Sequence, residues 1–208
     1  MGLYADHVEP RLVSLACGAP GIERTRATIV PAAEGRVLEI GFGSGRNLPY
    51  YDERRVSDVV LLEPSAAMRT LAARRLAKAR VPIRVLAAGA EAVPLPNASV
   101  DTVLVTYTLC TLPDPSQALD EARRVLRPGG RLLFAEHGLA PDPSVAAWQR
   151  RVQPVWGRLA GGCRLTRDAP SALHCARFEI VALEQRYLPS APRLAGFVSM
   201  GTATPRTV

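Results

Sequence analysis

Short apolar segments that alternate with helical patterns are the feature that most constrains the fold. Each segment is apolar at nearly every position, so neither face of the corresponding strand is expected to meet water. Strands of this type are typical of a parallel sheet that helices cover on both faces. Five such segments precede residue 140, at positions 37–40, 59–63, 83–88, 100–109 and 131–137.

Helical patterns connect these strands. Residues 46–51 have the character of a helix start that opens the first crossover, and a helix is predicted over 65–80 with Ser65 as its N-cap. A further helix is predicted over 114–126, and the Arg-Pro-Gly-Gly sequence at 127–130 is expected to end it. The order of elements is therefore strand, crossover, strand, as in βαβ units.

The pattern changes after Gly138. Residues 142–162 predict a helix that Pro154 interrupts, because proline lacks the backbone N–H that a helix interior requires. Residues 177–188 and 193–204 predict two late strands, which we expect to pair as an antiparallel hairpin.

The chain is long enough for one domain with a sizeable core. It has 208 residues, 48% of them hydrophobic, and no internal repeat, low-complexity tract or long linker. We predict a single α/β domain, Rossmann-like and seven-stranded, with a mostly parallel sheet, helices on both faces and a C-terminal antiparallel hairpin. Its expected parts are a helical cap (1–30), a ligand-binding core (35–138) and a substrate-side insertion with the last two strands (139–208).

The net charge of +7 does not predict nucleic-acid binding. Cations and acids are interspersed, and the one basic cluster, at 69–80, lies on a predicted helix whose other face is rich in Leu and Ala, as in a solvated helix face. The first 18 residues contain acids and no long apolar run, which predicts neither a signal peptide nor a membrane anchor. We expect a cytoplasmic monomer or homodimer.

The cysteines and histidines show no metal-binding spacing. No C-x-x-C pair occurs, and the three histidines are far apart in the chain. The sequence therefore predicts free thiols in a reducing compartment, with no metal site and no disulfide framework. The residues concerned are Cys17, Cys110, Cys163, Cys175, His7, His137 and His174.

The glycine turn after the first strand carries the strongest functional signal. A dinucleotide site uses G-x-G-x-x-G, but here Arg46 stands where the third glycine belongs. Glu39 precedes the turn, and a carboxylate there would repel a pyrophosphate and attract a cationic ligand. The spacing E-x-G-x-G-x-G therefore favours S-adenosylmethionine, which carries an ammonium and a sulfonium. Glu63 ends the second strand, 22 positions after Gly41, where a carboxylate can accept both ribose hydroxyls.

Four segments resemble the class I S-adenosylmethionine-dependent methyltransferases: VLEIGFGSG, LLEPS, AAGAEAVPLPNASVDTVL and EARRVLRPGGRLLFAEH. This resemblance covers about residues 35–138. Three later segments, TLCTLPDP, FAEHGLAP and WQRRVQPVWGRLAGGCRLTRD, are similar to the methyltransferase-like thiol methyltransferases and their bacterial relatives. The resemblance implies S-adenosylmethionine as cofactor and a small molecule, with a thiol preferred, as methyl acceptor.

The resemblance also implies roles for individual residues. The glycine turn would hold the methionine part of the cofactor, Glu39 would face its amino group and Glu63 would bind the ribose. The loop at 88–91 would cover the adenine, although Gly89 stands where many relatives have an aspartate, so the backbone or Glu91 would make that contact. The cofactor-binding candidates are Glu39, Gly41, Phe42, Gly43, Gly45, Asn47, Glu63, Pro64, Ala90, Glu91 and Thr106.

The candidate catalytic residue is His137, at the end of the fifth strand. An imidazole titrates near neutrality and can hold or deprotonate an incoming thiol, but a histidine at a strand end can equally be bonded to backbone. Thiols need little help, because a usable thiolate fraction exists at neutral pH. The candidate substrate-pocket residues, for several of which core packing is an equally ordinary role, are Tyr4, Thr108, Cys110, Trp148, Trp156, Cys163 and Arg167.

Other functions stay open at this point. The segments up to residue 138 do not separate a thiol acceptor from an amine, a phenol, a quinone-type compound or a lipid. A cofactor-binding module without catalysis is the alternative from a different class of protein. Product analysis over a panel of acceptors discriminates among them.

Overall fold

The computed structural model describes residues 8–189 and 191–206. In this part of the chain, the helices are α1 (Glu9–Ala16), α2 (Pro20–Ile29), α3 (Ala66–Leu76), α4 (Pro115–Val125), α5 (Pro143–Leu159), α6 (Ala169–Cys175) and α7 (Arg193–Gly196). The strands are β1 (Gly35–Ile40), β2 (Val56–Leu62), β3 (Ile83–Leu86), β4 (Val100–Thr106), β5 (Leu126–His137), β6 (Phe178–Tyr187) and β7 (Phe197–Pro205).

All seven strands join in one sheet with the order β3-β2-β1-β4-β5-β7-β6. The strands β1 to β5 pair in parallel, whereas β7 runs antiparallel to both β5 and β6. The predicted fold class is therefore confirmed, including the hairpin of the last two strands. The order reverses between β1 and β4, which places a ligand crevice at the carboxyl ends of these central strands.

Alternating side chains of the central strands supply two apolar layers, because successive residues of a strand point to opposite faces. On one face, Leu38 and Ile40 pack in a core cluster with residues of α4 and α6. On the other face, Val37 packs in a second cluster with Ile29 of α2 and Ala72 of α3. Both faces of the sheet are thus covered, which explains why these strands are apolar at nearly every position.

Three local predictions were wrong in detail. Between β1 and β2 there is only a 3₁₀ turn, Leu48–Tyr50, with Pro49 in its first turn, and no helix starts at 46–51. Helix α5 continues through Pro154, because the proline costs one hydrogen bond on an exposed side of the helix, where water can reach the freed carbonyl group. The stretch 127–130 belongs to β5, although α4 does end at Val125.

Two strand boundaries also differ. Strand β4 ends at Thr106 and not at residue 109, because Tyr107 has a positive φ of 53° that an extended strand does not allow. The segment predicted as a strand over 193–204 begins with the short helix α7 and becomes extended at Phe197.

The described residues contain no helix that is both long and apolar enough to cross a lipid bilayer.

The hairpin is anchored in the core through Phe178. Its side chain is fully buried in the cluster beneath α4 and α6, whereas most of β6 beyond it is exposed at the sheet edge. We expect Phe178→Ala to lower the free energy of unfolding by about 3–5 kcal/mol, because a buried cavity replaces the ring. The control Val181→Ala, at a side chain that is 59% exposed, should cost under about 0.5 kcal/mol. Equal effects in urea titrations would contradict this view of the hairpin.

Candidate functional site

A cleft opens at the carboxyl ends of β1, β2 and β4, at the point where the strand order reverses. The glycine turn after β1 and Glu63 after β2 form one side of it, and the loop after β4 forms another. Helices α1 and α2 close the cleft from the N-terminal part of the chain, with Val13, Cys17 and Arg26 among the lining residues. This is the expected position of a ligand in an open parallel sheet.

The glycine turn lets a ligand approach the backbone. Gly41, Gly43 and Gly45 all have positive φ, at 68°, 54° and 77°. A Cβ atom at Gly41 would lie 2.4 Å from the side chain of Thr108, so only glycine fits against the loop after β4. A Cβ at Gly43 would meet nothing closer than a carbonyl oxygen 4.0 Å away, which leaves open space above this residue.

Glu63 lines the cleft and holds the glycine turn. One carboxylate oxygen accepts from the N–H of Gly43 at 3.0 Å, and the other accepts from the N–H of Ser65 at 2.9 Å. The side chain is buried, and burial raises its pKa although these two donors oppose the shift. Each oxygen can accept one further hydrogen bond, so Glu63 can hold the turn and still receive two hydroxyl groups of a ligand.

Glu39 lies behind the cleft and does not line it. Its carboxylate is 2% exposed and accepts from Asn47 Nδ2 at 2.8 Å and from the hydroxyl of Tyr51 at 2.6 Å. Burial raises its pKa, and these donors oppose the shift. Asn47 also donates to Thr106 Oγ1 at 2.9 Å, and Thr106 does line the cleft. Glu39 therefore acts on the cleft indirectly, because it orients Asn47, which in turn donates to the cleft residue Thr106.

Arg26 of α2 brings a positive charge into the same network. Its Nη1 donates to Asn47 Oδ1 and to Thr106 Oγ1, both at 2.9 Å, and its guanidinium carbon lies 5.1 Å from the centroid of the Tyr107 ring. The residue is only 5% exposed, and its Nε has no partner among the residues that the structure describes. A buried guanidinium with spare donors can bind a carboxylate.

The loop after β4 is fixed by Glu136 of β5. Its buried carboxylate accepts from the backbone N–H groups of Thr108 at 2.7 Å, Leu109 at 3.1 Å and Cys110 at 3.4 Å. Burial raises the pKa of Glu136 to about 7, although these backbone donors oppose the shift. Tyr107 at the start of the loop has the positive φ that redirects the chain into the cleft. Strained backbone of this kind is common at functional sites.

Next to this loop, Cys110, His137 and Cys163 form a cluster that we call the thiol–imidazole cluster. Cys163 Sγ lies 3.1 Å from His137 Nε2, and the indole N–H of Trp156 donates to the same sulfur at 3.2 Å. The thiol of Cys110, followed by His137, lowers the pKa of Cys163. Burial alone would lower the pKa of His137, but its hydrogen bond to Cys163 and the charge there raise it.

The other sequence-predicted residues have different positions. Phe42 lines the cleft, and the exposed Pro64 follows Glu63, its carbonyl accepting from Arg69. Ala90 packs in the core and Glu91 is exposed on the loop after β3, and neither lines the cleft. Arg167 donates to the carbonyl of Leu112 at 2.7 Å.

Trp148 lies apart from the thiol–imidazole cluster. Its side chain is 58% exposed and its ring lies under the guanidinium of Arg151, at 5.4 Å. The structure therefore gives it no place in the cleft. Tyr4, also predicted for the pocket, is outside the described residues.

Two residues of the site had no role assigned from the sequence. Arg26 lies in α2 with one other arginine, Arg24, and nothing in that short helix distinguishes the two. Glu136 is expected among the polar residues that follow the strands, as Glu39 and Glu63 are, but only its neighbour His137 was assigned a role.

Comparisons with known proteins agree with this geometry. Residues 38–134 match a family model described as a methyltransferase domain. The chain is 34% identical to the thiol S-methyltransferase TMT1B of Homo sapiens, over 79% of this chain and 71% of that protein. It is 32% identical to the demethylmenaquinone methyltransferase of Lactiplantibacillus plantarum, over 71% of this chain and 66% of that protein.

The fold is also similar to solved structures. A methyltransferase of Thermotoga maritima has a TM-score of 0.67 at 23% identity, over 96% of this chain and 99% of that one. Together, the fold, the glycine turn and the family match define a methyltransferase that depends on S-adenosylmethionine. The chain belongs to the class I methyltransferase family. Within that family it is similar to the thiol S-methyltransferases.

The residues of the cleft fit S-adenosylmethionine. The open space above Gly43 admits a ligand close to the backbone, and Glu63 has free acceptor capacity for ribose hydroxyls. Arg26, with its unpartnered Nε, can hold the carboxylate of the methionine part. When bound, the cofactor supplies a methyl group on a positively charged sulfur.

We expect Glu63→Ala to weaken the binding of S-adenosylhomocysteine by more than about tenfold, because it removes the acceptor for two hydroxyls. Isothermal titration calorimetry measures this change. The control is Glu53→Ala, at an exposed acid outside the cleft. Thermal unfolding of both variants separates the loss of a ligand contact from a disturbed glycine turn. Unchanged affinity in a folded Glu63→Ala protein would refute the ribose role.

Proposed function

We propose that the chain methylates the sulfur of a small thiol. The observation that carries this proposal is the position of the thiol–imidazole cluster beside the loop that lines the cleft. Tyr107 lines the cleft and stacks on His137, with ring centroids 6.4 Å apart, and the cleft is also lined by Thr111, directly after Cys110, and by Gly161, two residues before Cys163. The relative in Homo sapiens that is named a thiol S-methyltransferase supports the same acceptor.

Methyl transfer makes few demands on the protein. The acceptor must be aligned with the cofactor, kept from competing water and freed of its proton. Helices α1 and α2 contribute residues to the wall of the cleft, where they can limit access of water to a bound ligand. His137 is held next to Cys163 and can take up a proton or orient an acceptor thiol.

A thiol suits this cluster better than a weakly acidic acceptor. A free thiol has a pKa near 8.5, so a usable thiolate fraction is present at neutral pH without a strong base. The carboxylate closest to the cluster in sequence, Glu136, already accepts from three backbone N–H groups. An amine or phenol acceptor would have to rely on His137 for deprotonation.

A cytoplasmic location is part of the proposal. All four cysteines lie within the described residues as free thiols, a state that a reducing compartment would preserve. Assembly as a monomer or homodimer stays a prediction.

The test is an acceptor panel with methyl-labelled S-adenosylmethionine and product analysis by mass spectrometry. The panel contains hydrosulfide, short alkyl thiols, amines, phenols, a reduced quinone and a phospholipid. We expect S-methyl products to form at least about ten times faster than any other product, because the thiolate is the strongest nucleophile present at neutral pH.

Two outcomes would contradict the proposal. A dominant C-methyl product from the quinone would favour the activity named for the Lactiplantibacillus plantarum relative. Binding of cofactor without any product would favour a non-catalytic module.

A further inference from the structure

The geometry points to a metal site: we propose that Cys110, His137 and Cys163 bind one soft divalent cation, Zn²⁺, whose fourth ligand position faces the methyl-transfer cleft. Spacing in the sequence predicts no such site, because the three residues are 26 or 27 positions from their neighbours in the set. The fold brings them together from the loop after β4, the end of β5 and the loop after α5. This inference rests on the proposed thiol acceptor for its role, but not for its existence.

The ligand atoms have the right identity and spacing. The two sulfurs and the imidazole nitrogen all lie within 4.8 Å of one another, and Cys163 Sγ is 3.1 Å from His137 Nε2. A tetrahedral Zn²⁺ has Zn–S bonds of about 2.3 Å and Zn–N bonds of about 2.0–2.1 Å, which separates its ligand atoms by roughly 3.5–3.8 Å. Small side-chain rotations are enough to fit a cation among the three atoms.

The surrounding structure fixes the two cysteine ligands in place, whereas Nδ1 of His137 has no partner among the described residues. Cys110 and Cys163 are 2% and 7% exposed. The N–H of Arg164 donates to the carbonyl of Cys110 at 2.9 Å, and Gln153 Nε2 donates to the carbonyl of Cys163 at 3.0 Å. Trp156 donates to Cys163 Sγ, as outer groups commonly do toward the ligands of a metal.

Two cysteines and one histidine are the ligand set of a catalytic zinc site and not of a closed structural site. Structural sites have four protein ligands, whereas catalytic sites have three and keep one position for water or substrate. The three ligand residues do not themselves line the cleft, but Tyr107 lines it and stacks on His137, and Gly161 lines it two residues before Cys163. The open position therefore belongs on the side where an acceptor must arrive.

A cation here would activate the acceptor thiol. The thiol binds the metal through sulfur and releases its proton to solvent, because a coordinated thiol is deprotonated. With Nε2 bound to the metal, His137 then acts as a ligand and not as the base. The sulfur electron pair then forms the new S–C bond while the bond between the methyl group and the sulfonium breaks, and that bonding pair stays on the cofactor sulfur. The product is a neutral thioether, a weaker ligand than a thiolate, and it leaves.

The test measures metal binding on the full chain without any acceptor. After treatment with a chelator, the protein is titrated with Zn²⁺ against a chromophoric competitor, and with Co²⁺ as a spectroscopic probe. We expect one ion per chain and a thiolate-to-cobalt charge-transfer band. Cys163→Ser and His137→Ala should each weaken the binding by at least about tenfold, whereas Cys175→Ser, at an exposed cysteine outside the cluster, should not change it.

Three results would overturn the site. These are no uptake of either ion, uptake that the Cys163→Ser and His137→Ala variants retain, and a Cys110–Cys163 disulfide in place of a metal. Binding of S-adenosylhomocysteine shows that each variant is folded.

Activity assays then separate the metal site from the proposed function. Removing Zn²⁺ should lower kcat/KM for a thiol by at least about tenfold, and adding it back should restore the rate. Metal-free protein that methylates thiols at the full rate would refute the activating role. Metal binding without thiol methylation would leave the site intact and refute the proposed acceptor.

Discussion

Three buried carboxylates hold the loops that build the cleft, and the rest of the site depends on them. Glu39, Glu63 and Glu136 lie at or just beyond the carboxyl ends of β1, β2 and β5. Each accepts at least two hydrogen bonds from a neighbouring loop, and these donors offset part of the desolvation of the charge, although burial still raises the pKa of all three. The parallel sheet places the three acids at one edge. Their hydrogen bonds fix the irregular loops that line the cleft.

The three acids differ in how they can interact with a ligand. Glu63 lines the cleft and keeps acceptor capacity, so it is placed where a ligand can be contacted directly. Glu39 accepts from Asn47, and Asn47 also accepts from Arg26. This end of the cleft therefore has a carboxylate and a guanidinium close together. Such an end suits the zwitterionic methionine part of the cofactor better than a pyrophosphate. Glu136 holds the loop that carries Cys110, and the proposed acceptor side consists of that loop and the segment after α5.

The sequence predicted the fold well, because the fold is encoded in local patterns. Apolar runs located five parallel strands, and the glycine turn located the cleft. Pro154 misled the helix prediction, because the cost of a proline depends on the exposure of the turn around it. The helix start predicted at 46–51 was also wrong, because the connection between β1 and β2 forms only a 3₁₀ turn, with Pro49 in its first turn.

The candidate site was predicted only in part, because much of it is non-local. Arg26 enters the cleft from α2 and donates to Thr106, which lies 80 residues later in the chain. No local sequence pattern predicts a contact over that separation. The thiol–imidazole cluster combines three residues with no recognisable spacing, so the rule that excluded a metal from the sequence does not apply to the folded chain. The different positions of the two tryptophans of α5 could not be predicted from local sequence either. They share one helix, yet Trp156 donates to Cys163 while Trp148 is exposed.

The most direct measurement for this account is a crystal structure of the protein with S-adenosylhomocysteine. The ribose should contact Glu63, the carboxylate of the amino-acid end should contact Arg26, and the sulfur should face Cys110, His137 and Cys163. A ligand that places its adenine or ribose against those three residues would contradict the assignment of donor and acceptor sides. The thiol acceptor and the metal would then lose their structural basis.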